Sequence, residues 1–408
     1  MHLLPTLLAL VPLLPSALAW GAAGHEIVAT IAQIHLHPDV KEKLCTILPA
    51  QARCHLAPVA AWADQVRTRY PGTGPMHYIN ANEDHPPEKC SFGEHGWTDE
   101  DVNVLTAIMN MTQQVMDGRG DIPLRFLTHF VGDMHQPLHL CGRDKGGNGA
   151  MFLWEGHHRN LHSVWDSGIL TKKIRELGNY TTPLPSKQIE SSLLGAIFDP
   201  YVRWIVWEGI REWWTPDLPS WLSCPADGDP YPHSSNSAIP PSHPLLNQIK
   251  AYTHAALSHL PDSLAGYIHD TFPFPLAQVQ HFNEKMLSLT PEGITRARQH
   301  MAEELGIDVL EINDPAGKRL ASEQFPACPY TWAKNMHQLN CDVVWPKEYT
   351  GEHGQPLIEL DTDQYIGKIN RDKTVERLMA MAGLRLAKVV NEAVGGPGAA
   401  GVYLGYAQ

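Results

Sequence analysis

The sequence predicts an all-α fold: a multi-helix single domain carrying one small β-hairpin and a loop-rich insertion. Three observations predict it. Apolar residues recur at helical spacing through several segments, one segment carries a hairpin signal, and neither an internal repeat nor an alternating βαβ pattern is present. From Trp20 to about residue 215 the chain reads as helices joined by polar loops. Thr98 is the predicted N-cap of the first clear helix, with Asp101 three residues on. Val102, Leu105, Met109, Thr112 and Met116 then share one face before Gly118. A second helix runs from Pro123 through Leu127, Phe130 and Val131 towards Pro137, which cannot continue it. Gly146-Gly147-Asn148-Gly149, Met151 to Trp154, and Glu155-Gly156 predict the hairpin. A third helix starts near Asn160, and Tyr201 to Trp214 predicts another, with Trp204, Trp207 and Ile210 to Trp214 in the core. Residues 215 to about 330 are rich in Pro and Ser and predict an insertion of loops and short helices. Residues Gln364 to Val394 predict one closing helix.

Composition narrows the function. At 408 residues and 43% hydrophobic content the chain has ample material for a core, which excludes disorder. Lys plus Arg number 31 against 44 Asp plus Glu, a formal net charge of −13. That balance argues against a duplex-DNA reader, which neutralises phosphates with a basic face. The 23 histidines are the outlier, and imidazole is the commonest metal ligand.

Met1 to Ala19 reads as a secretory signal peptide, with an apolar run from Leu3 to Leu14 and small residues at Ala17 and Ala19. Cleavage there makes Trp20 the mature N-terminus. No later segment approaches ~20 unbroken apolar residues, so the expectation is a secreted protein with no membrane span. In an oxidising compartment the seven cysteines allow up to three disulfides and one spare thiol. Cys45 and Cys54 are close enough to close a short loop; the spacing leaves the other five open. Asn110-Met111-Thr112 and Asn179-Tyr180-Thr181 are glycosylation sequons at Asn110 and Asn179.

The chemistry concentrates in histidine–aspartate spacing. His129 and Asp133 are four apart, as are His162 and Asp166, so each pair sets an imidazole and a carboxylate on one helix face. One such pair is ordinarily a surface ion pair or a capped core histidine. Two pairs with His139 between them, directly after Gln136-Pro137-Leu138, point to metal, because Zn2+ takes both donor types. Trp20, His25, Asp64 and His77 extend the series upstream.

In order, Trp20-Gly21-Ala22-Ala23-Gly24-His25, Trp62-Ala63-Asp64-Gln65-Val66-Arg67, Leu127-Thr128-His129-Phe130-Val131-Gly132-Asp133, Gln136-Pro137-Leu138-His139, Gly146-Gly147-Asn148 and Asn160-Leu161-His162-Ser163-Val164-Trp165-Asp166 resemble the motifs of the S1/P1 nuclease family. The resemblance spans Trp20 to about residue 215 and resumes near Cys341. It implies a zinc-dependent, single-strand-specific endonuclease acting on DNA and RNA, releasing 5′-phosphorylated products and also hydrolysing 3′-nucleotides. It implies three Zn2+: one on Asp64, His77, His129 and Asp133; one on His139, His162 and Asp166; one on His25, Asp133 and the amino and carbonyl groups of Trp20. Three such ions also give an acidic protein the positive charge to hold phosphates. A metal-activated hydroxide would attack phosphorus, with Asp64 orienting it and Arg67 stabilising the phosphate charge. The resemblance further implies base stacking on Tyr78, with Asn80 at a position where the family often has Asp, and Asn148 in the same cleft. It also implies a Cys90–Cys341 disulfide; Cys224 with Cys328, and Cys141 as the spare thiol, complete one pairing.

Two rivals remain at this level. A bacterial zinc phospholipase C has a similar N-terminal tryptophan and zinc set, but a longer stretch to the first histidine and a final glutamate; here His25 follows closely and the final ligand is Asp166. A secreted zinc-storage protein would need neither Arg67 nor an aromatic beside His77.

Overall fold

The computed structural model describes residues 20–99, 102–226, 228–230, 304, 306, 325–352 and 354–407. The predicted leader, Asp101 and most of the predicted insertion lie outside the described residues. The described chain is mostly helical with a two-stranded sheet, as the spacing predicts.

The core forms around α1 (Ala22–Ile34) and the long α13 (Thr374–Val390), which pack against each other and against α5 (Asp121–Met134). α1 is alanine-rich and apolar, and every residue from Ile27 to Ile34 is buried, so this helix lies inside the domain. The crossing is close enough to need glycine: a Cβ at Gly383 would sit 2.4 Å from Ile31 Cγ2. Around this centre lie α2 (Pro38–Ile47), α3 (Trp62–Val66), α4 (Val104–Met116), α6 (Leu161–Ser163), α7 (Ile169–Glu176), α8 (Lys187–Glu190), α9 (Asp199–Trp204), α10 (Leu218–Leu222), α11 (Pro329–Leu339) and α12 (Ile366–Arg371). Disulfides join Cys45 to Cys54, Cys90 to Cys341 and Cys224 to Cys328, and Cys141 is a buried free thiol. Among the described residues no helix is long and apolar enough to cross a membrane.

Several expectations shift. The cap of α4 is Asn103, not Thr98. Asn103 Oδ1 accepts from the amides of Leu105 and Thr106 at 3.0 and 3.1 Å, and the Asn103 amide donates to Thr106 Oγ1 at 3.0 Å. This reciprocal pair satisfies the orphan donors that a helix start leaves; the Thr98 hydroxyl instead donates to Asn82. The buried face of α4 consequently runs through Leu105, Ile108, Met111, Thr112 and Val115, leaving Met116 exposed. α5 begins at Asp121, two residues earlier than Pro123, which its first turn tolerates. The Tyr201 to Trp214 segment becomes α9 followed by π-helical turns from Ile205 to Trp213. The wider turn rotates Trp213 out of the core, where the Lys373 ammonium lies 4.5 Å from its ring centre. The closing helix is two helices, because Lys373 adopts a left-handed backbone (φ 49°) between α12 and α13.

The hairpin pairs β1 (Met151–Trp154) with β2 (His157–Asn160), antiparallel, with Trp154 opposite His157. Glu155 and Gly156, both at positive φ, make its tight turn. Asn160 closes β2 and caps α6, its Oδ1 accepting from the Ser163 amide at 2.7 Å. The hairpin therefore ends two residues before His162.

Candidate metal centre

Six separate segments converge on one buried cluster, and local structure explains each arrival. His25 sits in the first turn of α1, Asp64 in α3, His77 at the end of the 3-10 turn Pro71–His77, and His129 and Asp133 on α5. His139 sits in the 3-10 turn Pro137–Leu140, and His162 and Asp166 span α6 and the π-turn Val164–Gly168. Asp133 is the hub. Its Oδ1 lies 3.3 Å from His25 Nε2, and its Oδ2 lies 3.0 Å from His77 Nδ1 and 3.3 Å from His129 Nε2. Asp64 faces the same rings, 3.8 Å from His77 Nδ1 and 3.7 Å from His129 Nε2. A second group beside it holds His139, His162 and Asp166, whose ligand atoms lie within 4.8 Å of one another. Trp20 is fully buried, and the Gly21 amide donates to the Asp166 carbonyl at 2.9 Å, which ties the start of α1 to the second group.

The imidazoles are oriented by backbone carbonyls. His129 Nδ1 donates to Ala60 O at 2.7 Å, His139 Nδ1 to His77 O at 2.6 Å, and His162 Nδ1 to Gly146 O at 2.6 Å. A carbonyl only accepts, so each Nδ1 carries the proton; the His129 and His139 Nε2 atoms then present lone pairs, while His162 Nε2 lies 3.1 Å from Asp166 Oδ2. Gly132 completes the packing: a Cβ there would lie 2.7 Å from His25 Nδ1.

The family model for the S1/P1 nuclease matches residues 20–196, the stretch that supplies every one of these side chains. Over 211 residues the chain is 32% identical to Endonuclease 2 of Arabidopsis thaliana, covering 47% of this chain and 69% of the relative. It is 38% identical over 162 residues to Nuclease P1 of Penicillium citrinum, covering 38% and 60%, and 33% identical over 174 residues to Nuclease S1 of Aspergillus oryzae, covering 41% and 60%. The chain belongs to the S1/P1 nuclease family. Membership supports a hydrolytic nuclease activity and nucleic-acid substrates.

Whether this S1/P1 family member can hold cations at the cluster is testable on its own atoms. Buried polar atoms are normally paired. Here His25 Nε2, both Asp64 oxygens, His77 Nε2, His129 Nε2, Asp133 Oδ1 and His139 Nε2 are buried without a hydrogen-bond partner. Burial holds the His25, His77, His129 and His139 imidazoles well below their ordinary pKa, hence neutral, the form that binds metal. Burial, then the neighbouring Asp64 and Asp166, pushes Asp133 far up, and burial pushes Asp64 up to about 7. The Arg67 charge offsets only part of this, and cations among the carboxylates would reverse it. The donors fit. Another group, Asp84, Cys90 and His337, is also close-packed, but the Cys90 sulfur is committed to Cys341.

Around the cluster, Arg67 Nη1 lies 4.0 Å from Asp64 Oδ1, one helical turn away. Tyr78 follows ligand-side His77 and leaves 36% of its surface exposed. Asn80 is half-buried and its Nδ2 donates to Asp99 Oδ2 at 3.3 Å. Asn148 Nδ2 donates to the Lys145 carbonyl at 2.9 Å, which closes the turn preceding β1. Asn179 is exposed in a loop, whereas Asn110 is half-buried within α4 and its Oδ1 accepts from Gln114 at 2.9 Å. Residue-pattern reasoning missed Gln136, whose Nε2 donates to Asp166 Oδ1 at 2.6 Å while its Oε1 accepts from the Leu138 amide at 2.6 Å. Gln136 lies inside the quoted motif directly before Pro137; its position was visible, its partner was not. Asp99 was missed because nothing in its own sequence neighbourhood refers to Asn80.

Proposed function

We propose that the chain is a secreted zinc-dependent endonuclease that hydrolyses single-stranded DNA and RNA to 5′-phosphorylated products and removes phosphate from 3′-nucleotides. The carrying observation is the set of buried, unpartnered imidazole and carboxylate atoms around Asp133 in a protein of net charge −13. Zn2+ bound there would supply concentrated positive charge to a phosphodiester and acidify water towards neutral pH. In this reading Asp64, His77, His129 and Asp133 hold one ion, and His139, His162 and Asp166 hold a second. His25, Asp133 and the free backbone end of Trp20 hold the third. That last role needs removal of residues 1–19, since only a free α-amine can ligate.

The chain's own groups divide the remaining work. Asp64 lies against the rings of His77 and His129 and orients the attacking water. The Arg67 guanidinium, 29% exposed beside Asp64, meets the phosphate oxygens. Tyr78 offers an exposed ring for stacking, which tolerates any base. Asn80 on the same side of the extended segment, and Asn148 near the carbonyl that holds His162, complete the base cleft. The disulfides agree with an oxidising compartment, and Asn179 and Asn110 are the proposed glycan sites.

The test is the secreted protein itself, assayed on single-stranded DNA, RNA and 3′-nucleotides, with its N-terminus sequenced and its metal counted. Asp64→Asn is expected to abolish hydrolysis with the fold retained by circular dichroism. Full activity in that variant, or an active protein without zinc, would overturn the proposal. Turnover of phosphatidylcholine without nucleotide release would favour a zinc phospholipase C instead.

A further inference from the structure

Beside the Tyr78 ring the structure carries two hydrogen-bond acceptors with nothing among the described residues to accept from. Tyr78 and Asn80 are two apart in an extended segment and therefore share a side. That segment is pinned from both directions: the Ile79 amide donates to His139 O at 2.8 Å, and the Thr98 amide donates to Asn80 O at 2.9 Å. The second bond carries residues 98–99 alongside, and Asn103 Nδ2 donates to the Asp99 carbonyl at 2.9 Å, fixing Asp99 in place. Asn80 Nδ2 then donates to Asp99 Oδ2. An ionised carboxylate only accepts, so this contact decides which end of the amide faces it. One of the amide's two N–H donors goes to Asp99, and its carbonyl oxygen points elsewhere. Asn80 Oδ1 and Asp99 Oδ1 have no hydrogen-bond partner among the described residues. Gly142 lies on another flank of Asn80, where a Cβ would stand 3.4 Å from Asn80 Oδ1. The result is a held pair of acceptors, one of them charged, next to an exposed ring and within three residues of a cluster histidine.

Base edges differ in what they offer such a pair. The Watson–Crick edge of guanine presents two adjacent donors, N1–H and the N2 amine. Adenine and cytosine each present one donor next to an acceptor, and uracil presents one donor between two acceptors. Unstacked bases of single strands are read on these edges. We propose that Asn80 and Asp99 together make guanine the preferred base at Tyr78, Asn80 Oδ1 and Asp99 Oδ1 accepting from its N1–H and N2 amine. A carboxylate at Asp99, rather than at Asn80, supplies the charge-assisted bond. The inference rests on the base-cleft reading of Tyr78 proposed above, and it adds a specificity residue, Asp99, and a base.

Dinucleoside monophosphates with guanine, hypoxanthine, adenine or cytosine in one position and uracil in the other, in both orders, test it on the intact secreted enzyme. Guanine is expected to exceed adenine in kcat/KM by about tenfold in one of the two orders, with hypoxanthine, which keeps N1–H but lacks the amine, in between. Asp99→Ala should bring the guanine-to-adenine ratio towards one; the ratio is insensitive to the fraction of folded enzyme. Calorimetric titration with guanosine, inosine and adenosine 5′-monophosphates should give the same order of affinity without turnover. A flat base profile in the wild-type enzyme, or an unchanged ratio in Asp99→Ala, overturns the guanine assignment. Tyr78→Ala separates the two layers: equal loss on all bases keeps the cleft, and no loss on any base overturns the cleft itself.

Discussion

His129/Asp133 and His162/Asp166 are the same motif in sequence, an imidazole four residues before a carboxylate, yet their surroundings make them opposites. The first pair lies on the regular helix α5 and is wholly buried; four imidazoles crowd Asp133, the farthest being His139 at 3.8 Å. The second crosses from α6 into a π-turn, is slightly exposed, and keeps Asp166 for His162 at 3.1 Å. Burial holds His129 well below its ordinary pKa. Burial lowers His162 too, but the charge and hydrogen bond of Asp166 outweigh it, and its pKa is raised. Spacing sets two groups on one face; the neighbours decide whether the carboxylate serves one ring or several.

The comparison yields a graded set of outcomes. Asp133→Asn, which removes the hub, should have the largest effect, exceeding the roughly 10–100-fold typical of outer-shell changes and depleting metal throughout the cluster. Asp166→Asn should deplete only the group with His139 and His162. Metal counts on both purified variants decide this, and equal depletion in both would break the contrast. Gln136→Leu should follow, lowering metal affinity or activity by roughly 10–100-fold, because Asp166 loses the amide that orients it. Its effect should vanish in an Asp166→Asn background, as a double-mutant cycle would show. Gly132→Ala drives a methyl group against His25 and should cost roughly 1–3 kcal/mol, read from denaturant unfolding.

A histidine outside both pairs supplies the control. Burial, against a hydrogen bond to Ile31 O, brings the His35 pKa down to about 4. His35 Nδ1 donates to that carbonyl at 2.7 Å and Nε2 accepts from the Tyr406 hydroxyl at 2.6 Å, so the ring is neutral and fully paired. Its folded pKa lies below the unfolded value near 6.5, so the unfolded chain binds the proton first. The stability is complete above about pH 6.5 and is lost as pH falls towards 4, by roughly 3 kcal/mol in total. Melting temperatures of chelated protein across that range should show this acid limb, and His35→Gln should flatten it.

Much of the site was legible in the chain because coordination chemistry restricts residue types severely. His and Asp in fixed order are hard to mistake, and turns such as Gln136-Pro137 announce themselves through proline. The second layer was not legible. Asp99 meets Asn80, Gln136 meets Asp166 and Ala60 meets His129 only because separate segments pack together. Local misreadings have similar causes. Thr98 resembled a cap, but Asn103 held the better geometry, and Trp213 left the core because a π-turn alters the helical period.

By itself the sequence determined a helical domain, one hairpin and an inventory of candidate ligand atoms, since periodicity and donor chemistry are properties of residues in order. Tertiary structure alone decided which atoms stay unpaired, which carboxylate is shared and which end of the Asn80 amide faces Asp99. Those features depend on burial and on distances of about 3 Å between distant segments, and no local pattern encodes them.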